Sequence, residues 1–420
     1  MKIAIFGQTL YAGVMAGLWA ESGHQVFWCV ETPHDDLVQY VADEQLNQLL
    51  VSQANKEQLT IGSLDDVPLQ TDVYFFALNV SEKSLAEQYI RHLADRVEVR
   101  PKLMINGCTF GLNATHHLSQ FAPKDDWAYL PDIIQEGRAI SSFVQLKQII
   151  IGVQQEQDRV QRLMQELLRP FFPLSQQFLM MPILDAEFTK LSISGMLATR
   201  ISYMNDLAQV AEKLGIDILN VQQGLGADNR IGSVYLSAGV GFGGENFCND
   251  VLTLANTVSN TGAKSRLLEQ VWQINEAQKE VLFRKLWQYY QGDLHGRTIA
   301  IWGASFKENT ARIEYSPTLV LLDALFAQGA TVQLHDPQAL MVIEQHYGSK
   351  ENLILCTDAY QAIENADALC VMTAWKEYYS PDFQQLKHKM KHPLILDGRN
   401  IYDPYFMRLQ GLVYMGVGRE

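Results

Sequence analysis

The first residues that could do chemistry follow the opening apolar segment KIAIF. A dinucleotide-binding turn needs the pattern G-x-G-x-x-G/A directly after such a strand, because glycine lets the backbone approach a pyrophosphate. Gly7 and Ala12 fit the first and third positions, but Thr9 at the second projects its branched side chain into the pyrophosphate path. The acidic position for the adenosine ribose falls on Val30, with Glu31 one step further. The pattern predicts a Rossmann-type turn whose dinucleotide site is degraded.

A second candidate site is the glycine-rich loop at 239–244, which is followed by Asn246 and Cys248. Glycine lets a backbone come unusually close to a bound ligand, although a purely structural turn gives the same pattern. Asn246 carries an amide, which cannot act as a nucleophile at neutral pH. Cys248 carries a thiol, for which burial as a small apolar side chain is the ordinary expectation.

Alternating strand and helix patterns surround the first of these sites. Short apolar segments separated by helical stretches favour a doubly wound parallel sheet. The predicted strands of this part lie at 2–6, 25–30, 72–78, 102–106 and 148–152.

A long amphipathic segment without proline follows, from about Asp185 to Leu214, and predicts one helix that ends at Gly215. Its remaining apolar face offers a dimer surface. Strand patterns return at 298–303, 330–335, 353–356 and 368–372, with a helix at 317–328. We therefore expect an α/β protein with two Rossmann-like, doubly wound parallel-sheet domains, joined by a long central helix and a helical dimerisation region. The predicted domains are 1–178, 179–292 and 293–420.

The composition limits the partners and the compartment. The 420 residues are too many for one ordinary core, and 47% hydrophobic with 19% charged residues is typical of a folded soluble protein. With 33 basic and 47 acidic side chains the formal charge is −14, which disfavours nucleic acid or a membrane as a partner. Five scattered cysteines lack zinc-site or disulfide spacing, and the first strand follows no secretion signal. We expect a cytoplasmic protein without a metal.

Several segments, in the same order, resemble signatures of the UDP-glucose/GDP-mannose dehydrogenase family. They are similar to the family's central helix, its nucleophile loop and its C-terminal domain. The segments are AEFTKLSISGMLATRISYMNDLA (186–208), DNRIGSVYLSAGVGFGGENFCND (228–250), WGASFKENT (302–310), TAWKEY (373–378) and DGRNIYDP (397–404). The resemblance implies oxidation of the C6 hydroxyl of a nucleotide sugar to a carboxylate, in two NAD-dependent hydride transfers.

In that chemistry a base takes the hydroxyl proton, a cysteine thiolate captures the aldehyde, and a lysine stabilises the oxyanion. The family's nucleophile loop reads GGSCFPKD, whereas residues 243–250 read GGENFCND. The cysteine position is therefore Asn246 and the lysine position is Asn249, while Asp250 is retained for water activation or proton relay. If the loop enters a helix, Cys248 lies about 200° around the axis from position 246 and faces away from it.

The resemblance also implies site residues outside this loop. Lys190 matches the family lysine, with a solvated helix lysine as the alternative, and Ser194 replaces the asparagine expected four residues later. In YLPDIIQEGRAI, Asp132 and Glu136 match the two acidic residues of the family's PEFLREG pattern, one turn apart if helical. The family's threonine corresponds to Thr109.

The nucleotide-sugar side keeps more family residues than the cofactor side. Arg230 matches the residue that reaches the substrate of the neighbouring subunit, and Phe242 and Gly243 belong to the intact substrate loop. Lys307 is retained toward the cofactor, but the family's DDxRES stretch reads ARIEYS at 311–316. An acidic pair is thereby lost and one charge is reversed.

Two hypotheses follow from these substitutions. The chain is a UDP-glucose-type 6-dehydrogenase with impaired NAD-linked activity, which stops at the aldehyde. Alternatively it is a catalytically inactive homologue that binds a nucleotide sugar, or pairs with an active paralogue, in polysaccharide biosynthesis. Both imply a UDP-sugar or other nucleotide sugar as ligand, NAD as the family cofactor, and a homodimer through the central helix.

Overall fold

The computed structural model describes residues 1–31, 43–96, 101–154, 157–262 and 266–419. The chain forms two compact units, Met1–Ser192 and Ile193–Glu420. Within these described ranges, each unit contains one β-sheet. The three-domain division at 1–178, 179–292 and 293–420 stays a prediction.

The first unit is built on an eight-stranded sheet. Its strands are β1 (Lys2–Phe6), β2 (Gln25–Cys29), β3 (Leu59–Gly62), β4 (Val73–Phe76), β5 (Leu103–Asn106), β6 (Asp126–Tyr129), β7 (Ile149–Val153) and β8 (Phe178–Met181). They pair in the order β3-β2-β1-β4-β5-β6-β7-β8, and the first six follow the Rossmann order. Only β6 and β7 are antiparallel among these pairs. The predicted doubly wound parallel sheet is confirmed, with one reversal near its edge.

Both faces of this sheet are covered. Ile3 and Ile5 of β1 pack into one apolar cluster, while Ala4 and Phe6 pack into the other, as the two-residue period of a strand requires. The covering helices are α1 (Leu10–Glu21), α2 (Glu44–Asn55), α3 (Lys83–Ala94), α4 (Ala114–Ser119), α5 (Ala139–Val144) and α6 (Asp158–Leu168). Loops at the carboxyl ends of the strands are therefore the part of the sheet open to ligands.

Helix α7 (Ile183–Leu214) is the predicted long central helix, and its 32 residues span about 48 Å. It ends at Gly215, which has φ +66°. Four exposed apolar side chains, Met196, Tyr203, Val210 and Leu214, follow one another at intervals of seven, seven and four residues. This spacing places them along one stripe of the helix.

The second unit combines helices with a six-stranded parallel sheet. Its helices are α8 (Ile218–Ala227), α9 (Glu245–Asn260), α10 (Leu267–Lys279), α11 (Val281–Tyr289), α12 (Pro317–Ala327), α13 (Leu340–Tyr347), α14 (Ala359–Ala362), α15 (Phe383–Lys389) and α16 (Pro404–Leu409). Its strands are β9 (Thr298–Trp302), β10 (Thr331–His335), β11 (Leu353–Leu355), β12 (Ala368–Val371), β13 (Leu394–Asp397) and β14 (Val413–Met415). The order β11-β10-β9-β12-β13-β14 is again the Rossmann order. No helix in the described ranges is long and apolar enough to cross a membrane.

Candidate functional site

Three buried amide side chains hold the glycine-rich loop of the second unit. Asn275 on α10 binds both backbone groups of Phe242: its Oδ1 accepts from the N–H at 2.7 Å, and its Nδ2 donates to the carbonyl at 3.1 Å. Gly239 donates its N–H to Asn205 Oδ1, and Gln278 Nε2 donates to the Gly239 carbonyl. The backbone of the loop is therefore fixed before any ligand arrives.

Glycine is required at three positions of this loop. Gly241 and Gly244 have φ values of +92° and +90°, where a side chain would strain the backbone. A Cβ on Gly243 would lie 2.6 Å from the carbonyl oxygen of Tyr315. The Gly244 N–H donates to the carbonyl of Glu314 at 2.9 Å. These contacts bring the loop directly against the segment that follows β9.

Helix α9 begins after this loop, and its first turn exposes the side chain of Asn246 but buries that of Cys248. Asn246 lies in the first turn with its side chain exposed. Cys248 is 0% exposed and packs with Phe242 and Val251, and burial raises the pKa of its thiol to about 12. Such a thiol is protonated at neutral pH and is a poor nucleophile. The exposed position of this turn thus carries an amide, and the thiol faces the core.

Asp250 lies one helical turn beyond Asn246, and its side chain is buried. The Oγ of Ser194, itself buried on α7, donates to Asp250 Oδ2 at 2.7 Å. The structure therefore brings these two predicted site residues into direct contact. A serine hydroxyl has one proton to donate, so this bond engages Ser194 with the carboxyl group.

Polar contacts join the start of α9 to the segment after β9. Arg312 pairs with Glu245 at 2.6 Å (Nη2 to Oε2) and with Glu314 at 3.2 Å (Nε to Oε2). The Tyr315 hydroxyl donates to Asn249 Oδ1 at 3.4 Å. Two carboxylates surround one guanidinium here, so the cluster offers no excess positive charge to an anionic ligand.

In the first unit, Asp132 and Glu136 do not share a helix. Residues 130–135 form neither helix nor strand, and Asp132 Oδ1 instead accepts from the backbone N–H of Ile134 at 3.0 Å. Gly137, with φ +74°, follows in a turn. The one-turn spacing considered from the sequence is therefore wrong, because an Asx turn and a glycine turn replace the helix.

Lys190 and Thr109 are both half-buried in the same unit. Lys190 lies on α7, three residues after the buried carboxyl of Glu187. Thr109 lies in the segment between β5 and α4, whose Thr115 is hydrogen-bonded to Glu187. Thr109 is therefore close in sequence to Thr115, and Lys190 is close in sequence to Glu187, the two partners of this hydrogen-bonded contact.

The turn after β1 satisfies its own hydrogen-bonding groups. Thr9 is the N-cap of α1: its Oγ1 accepts from the Ala12 N–H at 3.1 Å and donates to the carbonyl of Ala77 at 2.7 Å. Val30 is buried, whereas Glu31 is exposed. The Thr9 hydroxyl thus accepts from the Ala12 N–H, and N–H groups in this position at a helix N-terminus are the ones that bind phosphate.

The comparisons with known proteins agree with these signatures. Residues 184–277 match the central domain, and residues 300–404 the UDP-binding domain, of the UDP-glucose/GDP-mannose dehydrogenase family. The chain is 32% identical to the UDP-glucose 6-dehydrogenase of Pseudomonas aeruginosa, over 100% of this chain and 98% of that protein. The chain belongs to the UDP-glucose/GDP-mannose dehydrogenase family.

Further relatives extend the comparison. A UDP-glucose 6-dehydrogenase of Rhizobium meliloti is 35% identical over 69% of this chain and 65% of its own length. The UDP-glucose dehydrogenase structure from Pyrobaculum islandicum superimposes with a TM-score of 0.87 at 22% identity, covering 100% and 98% of the two chains. The present chain therefore has the fold of this NAD-dependent dehydrogenase family.

Within the match to the UDP-binding domain, one buried carboxylate fills the turn after β9. Asp336, at the end of β10, accepts from the backbone N–H groups of Ala304 and Ser305 and from the indole of Trp375. Its other oxygen accepts from the N–H groups of Gln338 and Ala339. This turn, like the one after β1, is satisfied by a side chain of the protein.

The two basic residues predicted for ligand contacts are placed differently. Arg230 has a side chain that is 88% exposed, and it pairs with Asp228 of its own loop at 2.7 Å. Lys307 is half-buried, with its ammonium 5.6 Å from the centre of the Phe306 ring.

Sequence reasoning missed several residues that shape the site. These are Glu187, Asn205, Asn275, Gln278 and Arg399. Arg399 donates from Nε to the Met372 carbonyl and from Nη2 to the Phe306 carbonyl, which ties β13 to the segment after β9. A signal was present for two of the amides: Asn275 and Gln278 lie three residues apart on the buried face of α10, where apolar residues are expected.

Proposed function

We propose that this chain binds a UDP-sugar, with UDP-glucose as the first candidate, and does not complete the four-electron oxidation of its C6 hydroxyl. The observation that carries this proposal is the pair formed by exposed Asn246 and buried Cys248 on α9. Without a thiolate at the exposed position, the aldehyde forms no thiohemiacetal, and the second hydride transfer lacks its donor.

Nucleotide-sugar binding is supported by features that the substitutions leave intact. The UDP-binding domain matches over 300–404. The glycine-rich loop is fixed by Asn275 and its neighbours, so its backbone groups are preorganised. Lys190 is retained from the family pattern and would supply a cation to the sugar end of the ligand.

NAD fits the residues of the first unit poorly. The N–H of Ala12 is engaged by Thr9, and buried Val30 offers no carboxylate to the hydroxyls of a ribose. In the second unit, the segment that the family resemblance relates to the cofactor carries Arg312, whose charge two carboxylates already neutralise. We therefore propose weak NAD binding and assign no chemical step to the cofactor.

A homodimer is part of the proposal. Met196, Tyr203, Val210 and Leu214 present exposed apolar side chains along one stripe of α7. A second copy of the same helix, related by a two-fold axis, would cover this stripe with matching residues. Analytical ultracentrifugation of wild type and of Met196→Lys checks this: we expect a dimer that the charged variant dissociates.

The central test combines binding with product stoichiometry. Calorimetry with UDP-glucose, UDP and NAD measures the three affinities, and we expect UDP-glucose to bind much more tightly than NAD. Incubation with UDP-glucose and NAD then gives the number of NADH formed per sugar. No NADH, or one NADH with accumulation of the aldehyde, supports the proposal. Two NADH per UDP-glucose, or no binding of UDP-glucose, contradicts it.

A further inference from the structure

A buried chain of hydrogen bonds links α7 to the carboxyl end of β5. Glu187, which is 3% exposed, accepts at Oε1 from both the hydroxyl and the backbone N–H of Thr115, at 2.7 and 2.8 Å. The Thr115 hydroxyl in turn accepts from Asn106 Nδ2 at 2.8 Å. Asn106 and Thr115 are fully buried. The chain therefore runs through the interior of the first unit without access to solvent.

This chain fastens the segment that carries Thr109 at both of its ends. At the start, Asn106 Oδ1 accepts from the Cys108 N–H, and the Cys108 thiol accepts from the Leu78 N–H. At the end, Thr115 is bound to Glu187. Because the segment follows β5 at the carboxyl edge of a parallel sheet, it lies where such sheets bind ligands.

Local sequence does not explain why a distant carboxyl group is used here. Helix α4 begins at Ala114, and its N-cap residue Asn113, with φ +61°, makes no side-chain capping bond. Glu187, 72 residues further along the chain, supplies the acceptor instead. Its Oε2 is buried and makes no hydrogen bond within the described ranges. A buried polar atom without a hydrogen bond is costly, so capping one short helix does not by itself account for a glutamate here.

We propose that Glu187 is a positioning residue that fixes the Thr109 segment relative to the turn of α7 that carries Lys190. Lys190 follows Glu187 by three residues, so the two side chains leave neighbouring parts of the same helix face. Loss of the Glu187 carboxyl frees the Thr109 segment from α7 and misplaces the groups that receive the sugar. The identity of the ligand rests on the proposed function, whereas the contact itself does not.

The experiment compares Glu187→Ala and Glu187→Gln with Asp185→Ala, which removes an exposed carboxyl group from the first turn of the same helix. Hydrogen exchange of residues 107–115 is measured without ligand, and the dissociation constants of UDP-glucose and UDP are measured by calorimetry. For Glu187→Ala we expect faster exchange and UDP-glucose binding weakened by on the order of tenfold, with UDP binding unchanged. Glu187→Gln keeps an oxygen acceptor and is expected to restore both, and Asp185→Ala is expected to match wild type.

The two readouts separate this inference from the proposed function. Unchanged exchange in residues 107–115 of Glu187→Ala overturns the inference, as does an equal loss of UDP and UDP-glucose affinity. If wild type binds no UDP-glucose, the proposed function fails while the exchange measurement still decides the role of Glu187. Should Glu187→Ala fail to fold, Thr115→Val removes the hydroxyl donor but keeps the backbone N–H, and a smaller change in the same direction is expected.

Discussion

The hydroxyl of Ser194 lies 2.7 Å from Oδ2 of Asp250, and both side chains are buried. The central helix thereby supplies a donor to the carboxyl group of α9. A buried carboxyl group is unfavourable unless its oxygens accept hydrogen bonds, as Oδ2 of Asp250 does here. The serine at position 194 therefore supplies a hydrogen-bond donor that the buried carboxyl group of Asp250 requires.

Replacing Ser194 by alanine is expected to lower the free energy of unfolding by about 1–3 kcal/mol, because Asp250 loses a donor while remaining buried. Urea unfolding measures the change. Ser233→Ala, at an exposed position of the same unit, is the control and should stay within about 0.5 kcal/mol of wild type. Equal stability of the Ser194 and Ser233 variants would show that the bond contributes nothing.

Asn246→Cys should create one fast-reacting thiol in the native protein. All five native cysteines are buried, so a thiol reagent such as DTNB should react with wild type only as slowly as it unfolds. Position 246 is exposed, and a cysteine there should react in one rapid step. Asn246→Ser serves as the control, because it places a similar side chain without a thiol at the same exposed position and should leave the native reaction rate unchanged.

The same Asn246→Cys variant is expected to form no more NADH from UDP-glucose than wild type does, because the substitution leaves Thr9 and Val30 unaltered. Absorbance of NADH under saturating UDP-glucose and NAD checks this. Oxidation restored by that single change would show that the cofactor site is intact and that only the nucleophile is missing.

Thr9→Gly should strengthen NAD binding, since it releases the Ala12 N–H and removes a side chain from the turn after β1. The loss of the Thr9 bond to the Ala77 carbonyl should lower the free energy of unfolding by about 1 kcal/mol. Thr9→Ser keeps the hydroxyl and is the matched control, with wild-type NAD affinity. Calorimetry that finds the same affinity in both variants would exclude Thr9 as the obstacle.

The stability of the fold should depend on pH through Glu187. Burial raises the pKa of this carboxyl group above its ordinary value, although hydrogen bonds from Thr115 oppose the shift. The folded protein therefore binds a proton more tightly than the unfolded chain. The contribution of Glu187 to stability is fully present below the ordinary glutamate pKa and is lost as pH rises toward the raised folded value.

Glu187→Gln removes this titration. As pH rises above the ordinary glutamate pKa, wild type should lose stability that the variant keeps. The free energy of unfolding of the variant should therefore increase relative to that of wild type. Urea unfolding at a series of pH values measures it. Asp185→Asn is the control, because that carboxyl group is exposed. A pH-independent difference for Glu187→Gln would indicate that the folded pKa is not raised.

The sequence predicted the strands well where an apolar segment forms a strand whose two faces are both buried. The segments KIAIF and TIAIW became β1 and β9, and the segment ending at Gly215 became α7. Strand β8 was missed because its side chains are exposed or half-buried, which leaves a weak pattern. The antiparallel pairing of β6 with β7 was missed because strand direction depends on contacts between distant segments.

The candidate site was predictable where a residue type limits the chemistry by itself, as at Asn246 and Thr9. Glu187 and Asn275 were not found, because their roles depend on partners 72 and 33 residues away. The helical spacing of Asp132 and Glu136 failed for a local reason, an Asx turn beginning at Asp132.

The first six strands of the larger sheet and the six strands of the smaller one share one order, and in each the turn after the first strand holds a side chain of the protein itself. Thr9 occupies the first turn with a hydroxyl, and Asp336 occupies the second with a carboxylate. A free phosphate must therefore displace an intramolecular competitor that is tethered at high effective concentration. Strand order alone would thus overestimate how tightly either turn binds a nucleotide. The loops around the two turns determine which ligand binds.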